Sequence, residues 1–276
     1  MTGAGSVHAA GRAALRAWPR SQFAYRGDPR FSYCVHLPEG FQPGAASRRL
    51  LVAVHGTGRN AMAYRDALAG LADAHGYVVL APLFPVGVLG DYNPDGYKYL
   101  AEGGLRYDHL LLGMIDELGA LLETDFGRFS LFGFSGGGHF AHRFFYRHPA
   151  RLRSVSVGAP GGVTLLDDTR DFWIGTRDFA ARFGAAPDVA AMRGVPAQIL
   201  IGGEDTAEFV YPAHLSQHAP DMASLGRNRL ERSATLLANW RDHGLQARRD
   251  VVPGVAHEGL KTLSALEAFL TELPPD

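Results

Sequence analysis

Six short, mostly apolar runs recur along the chain: "LLVAVHG" (50–56), "YVVLAP" (77–82), "FSLFGF" (129–134), "SVSVGAP" (154–160), "AQILIGG" (197–203) and "ARRDVVPG" (247–254). Apolar residues on consecutive positions, rich in Val, Ile and Leu, suit strands covered on both faces of a parallel sheet. Between the runs lie stretches with helical spacing, at 61–76, 107–127, 138–149, 230–244 and 259–273. The first of these stops at Gly76, a plausible helix end, and the third is closed by Pro149. Strand alternating with helix is the βαβ pattern, so the spacing predicts an α/β fold with a mostly parallel, doubly wound sheet. A hairpin is predicted ahead of it from "SQFAYRGDPRFSYCVHLPEG", turning at Gly27, Asp28 and Pro29.

Composition narrows the function. Lys and Arg number 27 against 28 Asp and Glu, which leaves no global field to draw in nucleic acid or an anionic membrane. There is no apolar run long enough for a transmembrane helix. The first twenty residues lack the continuous apolar stretch of a secretory signal, so residues 1–20 read as a loose N-terminal extension and the compartment as cytoplasmic. The lone cysteine, Cys34, lies in an alternating stretch and reads as a buried strand residue. Residues 21–276 read as one domain.

Two segments break the core pattern. Residues 84–107 are crowded with Gly, Pro and Tyr, and residues 161–194 carry Phe172, Trp173, Phe179 and Phe183. Loops this long in a compact domain are functional or disordered, and their aromatic content argues against disorder. The second is expected as a lid-like insertion. Tyr92, Tyr97, Phe172 and Trp173 are the candidate pocket residues, although the aromatics of 172–183 would serve equally as packing.

Gly133-Phe134-Ser135-Gly136-Gly137 matches G-x-S-x-G, a weak signal in a chain with 34 glycines. A serine ahead of a helix can also be a simple N-cap. The setting strengthens the other reading: a strand immediately before, a helix immediately after, and glycines where a side chain would clash in a sharp turn. A serine hydroxyl becomes a nucleophile only when a base takes its proton, and that base needs an acid to orient it. In such a fold the acid and then the histidine follow the serine, each just past a later strand. "GGEDT" supplies Glu204 and Asp205, with Asp205 preferred because it lies further along the loop and Glu208 a third choice; "GVAHEG" supplies His257. Oxyanion donors are expected from the Gly136 N–H and from the Thr57 N–H in "HGTGRN", with His55 as a hydrogen-bonding strut. His139 and His142, and His214 and His218, have spacings that metal ligands use, but neither pair has a cysteine neighbour, and no metal site is read from them.

"HGTGRNA", "GFSGGGHFAHRF", "GGEDT" and "GVAHEG", in this order, resemble the α/β-hydrolase superfamily over roughly residues 30 to 272. The first two are similar to its polyhydroxybutyrate-depolymerase and feruloyl-esterase-like branch. The resemblance implies a central, mostly parallel sheet of about eight strands with helices on both faces. It also implies Ser135 as nucleophile, Asp205 as acid, His257 as base, no cofactor, and a serine hydrolase acting on a carboxylic ester or related acyl compound. An acyltransferase with the same machinery, or a low-turnover receptor on the same fold, are the alternatives. Extracellular depolymerases of that branch carry signal peptides, and often disulfides and polymer-binding modules, which are not read here. The expected partner is therefore a small-molecule acyl substrate.

Overall fold

The computed structural model describes residues 4–44, 49–208, 222 and 224–274. The chain divides into two compact units, Met1–Ser130 and Leu131–Asp276. The first contains helix α1 (Ala4–Ala17), strands β1 (Gln22–Ala24), β2 (Ser32–His36) and β3 (Leu50–Val54), helices α2 (Ala61–Ala67) and α3 (Ala69–His75), and strand β4 (Val78–Leu83). A minor hairpin, β5 (Ala101–Glu102) with β6 (Leu105–Arg106), precedes helix α4 (Tyr107–Leu122). Its main strands run in the order β1-β2-β4-β3. The predicted hairpin is present: β1 and β2 pair antiparallel with Gln22 opposite Cys34, and the Phe31 N–H closes the turn on the Asp28 carbonyl at 3.0 Å. The stretch predicted as one helix over 61–76 is two helices meeting at Leu68, and it ends on Gly76 at φ 70°.

Strand β7 (Phe129–Phe134) leads into the second unit, which continues with helix α5 (Gly136–Arg147), β8 (Leu152–Gly158), short helices α6 (Phe179–Phe183) and α7 (Val189–Met192), β9 (Ala197–Gly202), helix α8 (Arg229–Asp242), β10 (Ala247–Val252) and helix α9 (Leu263–Thr271). The order here is β7-β8-β9-β10, with β8, β9 and β10 parallel and in register at Val155, Ala197 and Ala247. Strands β1–β4 and β7–β10 together make one eight-stranded, mostly parallel sheet with helices on both faces. Every residue of β3, β7 and β9 is buried, as their unbroken apolar runs require. Among the described residues no helix is long and apolar enough to cross a membrane.

The N-terminal stretch read as a loose extension is instead helical. Its sequence, "AGSVHAAGRAALRA", is rich in alanine, the strongest helix former. The helix packs on α4: Leu15 is buried, Gly11 allows close approach to Leu121, and Arg12 donates to the Leu121 carbonyl and pairs with Glu123 at 2.8 Å. A guanidinium at the last turn of α4 satisfies a carbonyl that the helix itself cannot. Cys34 is buried in β2 as expected, and burial pushes its thiol up to about 11.

His55 is fully buried just past β3. Its Nδ1–H donates to the Gly56 carbonyl at 2.7 Å, and its Nε2 accepts from the Phe84 N–H at 3.0 Å. It is the strut that the sequence predicts. Burial holds the ring neutral and pushes its pKa from 6.5 down to about 4. Between these values the unfolded chain binds a proton that the folded chain does not. This contribution to stability is therefore complete above pH 6.5 and is lost as pH falls toward 4, by about 3 kcal/mol in all. Urea midpoints followed down through this window should fall more steeply for the native chain than for a His55→Asn variant; parallel curves would show that the ring is not held neutral.

Candidate active site

The turn from β7 to α5 is a single residue, Ser135, at φ 57° and ψ −113°. A side chain at positive φ outside glycine is strained and persists only where neighbouring structure enforces it. Two features enforce it here. The Ser135 N–H is held by the Gly158 carbonyl at the end of β8, at 2.8 Å. Gly133 also lets the first turn of α5 fold back on the strand: a Cβ there would lie 2.1 Å from the Gly137 carbonyl oxygen. Although Ser135 occupies the N-cap position, its hydroxyl makes no capping hydrogen bond. That hydroxyl lies 3.0 Å from His257 Nε2 instead. Gly136 is the first residue of α5, so its N–H is among those that a helix leaves without an internal acceptor, at the positive end of the helix dipole.

Asp205 and His257 lie on the loops after β9 and β10. These loops are laced together, Gly203 N–H to the Val252 carbonyl at 2.8 Å and Glu204 N–H to the Val255 carbonyl at 2.9 Å. Such close approach requires glycine at 202, where a Cβ would lie 2.2 Å from the Val255 oxygen. The lacing sets His257 Nδ1 at 2.6 Å from Asp205 Oδ2. A carboxylate only accepts, so Nδ1 carries the proton and Nε2 faces the serine hydroxyl as an acceptor. The Asp205 side chain is 1% exposed and that of His257 is 33% exposed. The acid is sealed while the base opens to solvent. Phe134 backs the imidazole, with ring centroids 5.0 Å apart. Glu204 and Glu208 are both exposed on the same loop, and the carboxylate that meets the histidine is Asp205.

Sequence reading missed Arg229. Its Nη1 donates to the second oxygen of Asp205 at 3.2 Å. Asn228 caps α8 by accepting the Glu231 N–H at 2.9 Å, and Glu208 bridges Asn228 across the two chain segments. The cap places Arg229 as the first residue of the helix, against the acid loop. An Asn three residues ahead of a Glu marks a helix start, but only the folded chain shows which carboxylate the arginine meets.

The other candidates have different placements. Tyr97 is buried in the first unit, where its hydroxyl donates to the His55 carbonyl at 3.3 Å and the Arg59 guanidinium lies 5.1 Å from its ring. Tyr92 is 87% exposed at φ 56°. Thr57 is exposed in the turn after β3, and its carbonyl accepts from Arg59 at 2.6 Å. In the second unit, Phe172 and Trp173 are buried with the Arg143 guanidinium 5.5 Å from each ring, and Phe179 and Phe183 meet the Phe172 ring edge-on.

Segment 161–194 is thereby fastened to α5. Both histidines read as a possible metal pair take part: His139 Nε2 accepts the Gly162 N–H at 3.1 Å, and His142 Nε2 accepts the Thr164 N–H at 3.0 Å. Arg143 Nε reaches the Thr164 hydroxyl at 2.9 Å and Tyr146 the Thr164 carbonyl at 2.6 Å. His139 and His142 are both buried and anchor the segment through their ring nitrogens. His214 and His218 lie outside the described residues.

No protein-family model matches the chain, and no curated protein matches it in sequence. Among solved structures, a poly(3-hydroxybutyrate) depolymerase from Bordetella parapertussis is 25% identical, with a TM-score of 0.72 over 96% of this chain and 95% of that one. A poly(aspartic acid) hydrolase from Sphingomonas sp. KT-1 is 23% identical, also with a TM-score of 0.72, over 91% and 98%. An S-formylglutathione hydrolase from Agrobacterium tumefaciens is 17% identical, with a TM-score of 0.55 over 88% and 90%. The fold is that of the α/β-hydrolases.

Proposed function

We propose that this α/β-hydrolase-fold chain is a serine hydrolase that cleaves a carboxylic ester or related acyl compound through an acyl-enzyme. The observation that carries the reading is the hydrogen-bonded series Asp205–His257–Ser135, at 2.6 and 3.0 Å, ending on a serine held at φ 57°. As Ser135 Oγ attacks the acyl carbon, His257 Nε2 takes its proton, and Asp205 stabilises the imidazolium that forms. The tetrahedral oxyanion is held by the Gly136 N–H at the start of α5. Collapse expels the alcohol, protonated by His257. Water then attacks the acyl-enzyme with His257 again as base, releasing the acid and restoring Ser135. No step calls for a metal or organic cofactor.

The structural neighbours named as a depolymerase and as hydrolases support the reaction class. We read the partner as a small-molecule acyl substrate rather than nucleic acid or membrane, and Phe172 and Trp173 as the second unit's contribution to the acyl side of the site. Hydrolysis of p-nitrophenyl esters from acetate to dodecanoate, with a fluorophosphonate label located by peptide mass, tests the reaction. Turnover that stops as the label accumulates on Ser135 is the expected result. Label on another residue, or turnover that survives full labelling of Ser135, would sink the assignment.

A further inference from the structure

Asp205 has two carboxylate oxygens and almost no access to water. Oδ2 accepts from His257; Oδ1 accepts from Arg229, whose side chain is 14% exposed. A sealed carboxylate left short of donors turns or takes up a proton. Either event would release the histidine. Arg229 is itself fixed, as the first residue of α8 behind the Asn228 cap. The series of contacts is therefore four residues long, and its far end is a permanent cation on a rigid element.

From this geometry we infer that Arg229 is a positioning residue for the hydrolysis proposed above, an inference that rests on that reading. By holding Oδ1 it fixes the Asp205 plane, so that Oδ2 meets Nδ1–H and Nε2 meets Ser135.

The test is kcat and KM on the best ester for the native chain, Arg229→Gln, Arg229→Lys and Ser135→Ala, each checked for folding by thermal melting. Gln keeps an N–H donor without charge; Lys keeps the charge without the planar fork. The Gln variant should lose about 10- to 100-fold in kcat with KM unchanged. The Lys variant should recover part of that loss, falling a few-fold below the native chain. Native kcat in a folded Gln variant, or a loss that appears in KM instead of kcat, would overturn the inference. Should the Gln variant not fold, the Lys variant decides: lowered kcat at constant KM supports Arg229, and native kcat overturns it. Native turnover in Ser135→Ala would bring down the triad reading and this inference together. Loss of turnover there beside native kcat in the Arg229 variants would bring down the inference alone.

Discussion

Replacing Ser135 with alanine should lower kcat on any ester substrate by on the order of 10^4- to 10^6-fold while leaving the protein folded. The loss is large because the other members of the series have no task without the hydroxyl. Any residual rate would come from substrate binding and the oxyanion donors. The fold should survive because the strain at position 135 lies in the backbone, held by Gly158 and by the close approach at Gly133, and neither depends on the hydroxyl. The hydroxyl meets His257 and caps nothing. Melting temperatures of the two proteins should agree within a few degrees. A variant with a tenth or more of the native rate would place the nucleophile elsewhere. One that is inactive because it is unfolded would show that Ser135 is structural.

Much of this site could be read from the sequence because its geometry is written in local patterns. A strand, a G-x-S-x-G turn and a helix lie within 129–147, and the two partner loops each follow an apolar run. Sequence could weigh Asp205 against Glu204 only by its place further along the loop. Neighbouring acids look alike until the backbone turns one inward, and here the lacing of the acid and histidine loops buries Asp205 and leaves Glu204 exposed. Arg229 was invisible for a related reason: its contact with Asp205 spans 24 residues and depends on where α8 begins. His139 and His142 are a different case. Their spacing was legible, but their acceptor role toward Gly162 and Thr164 is tertiary and leaves no local signature. The packing of the Tyr97 ring with His55 and Phe84 is likewise tertiary and has no local signature. The N-terminal helix was missed because its apolar residues are mostly alanines, small side chains that bury little surface of their own.

Asp205→Asn should differ from Ser135→Ala by damaging both activity and stability. The asparagine can present an N–H to His257 Nδ1, which favours the tautomer with its proton on Nε2. That nitrogen would then donate to Ser135 Oγ rather than accept from it, and kcat should fall by about 10^4-fold. The second effect arises at Arg229. Its guanidinium would face a neutral amide in a site where it is 14% exposed, and leaving a mostly buried charge without its carboxylate should cost about 3 kcal/mol. The two readouts separate the roles. Urea denaturation should show Asp205→Asn well below the native chain and Ser135→Ala close to it, while both are inactive. A stable but inactive Asp205→Asn would mean that Arg229 finds another acceptor and contributes little through its charge. A variant that keeps a tenth or more of the native rate would remove Asp205 from the triad, and Glu204 and Glu208, on the same loop, would be substituted next.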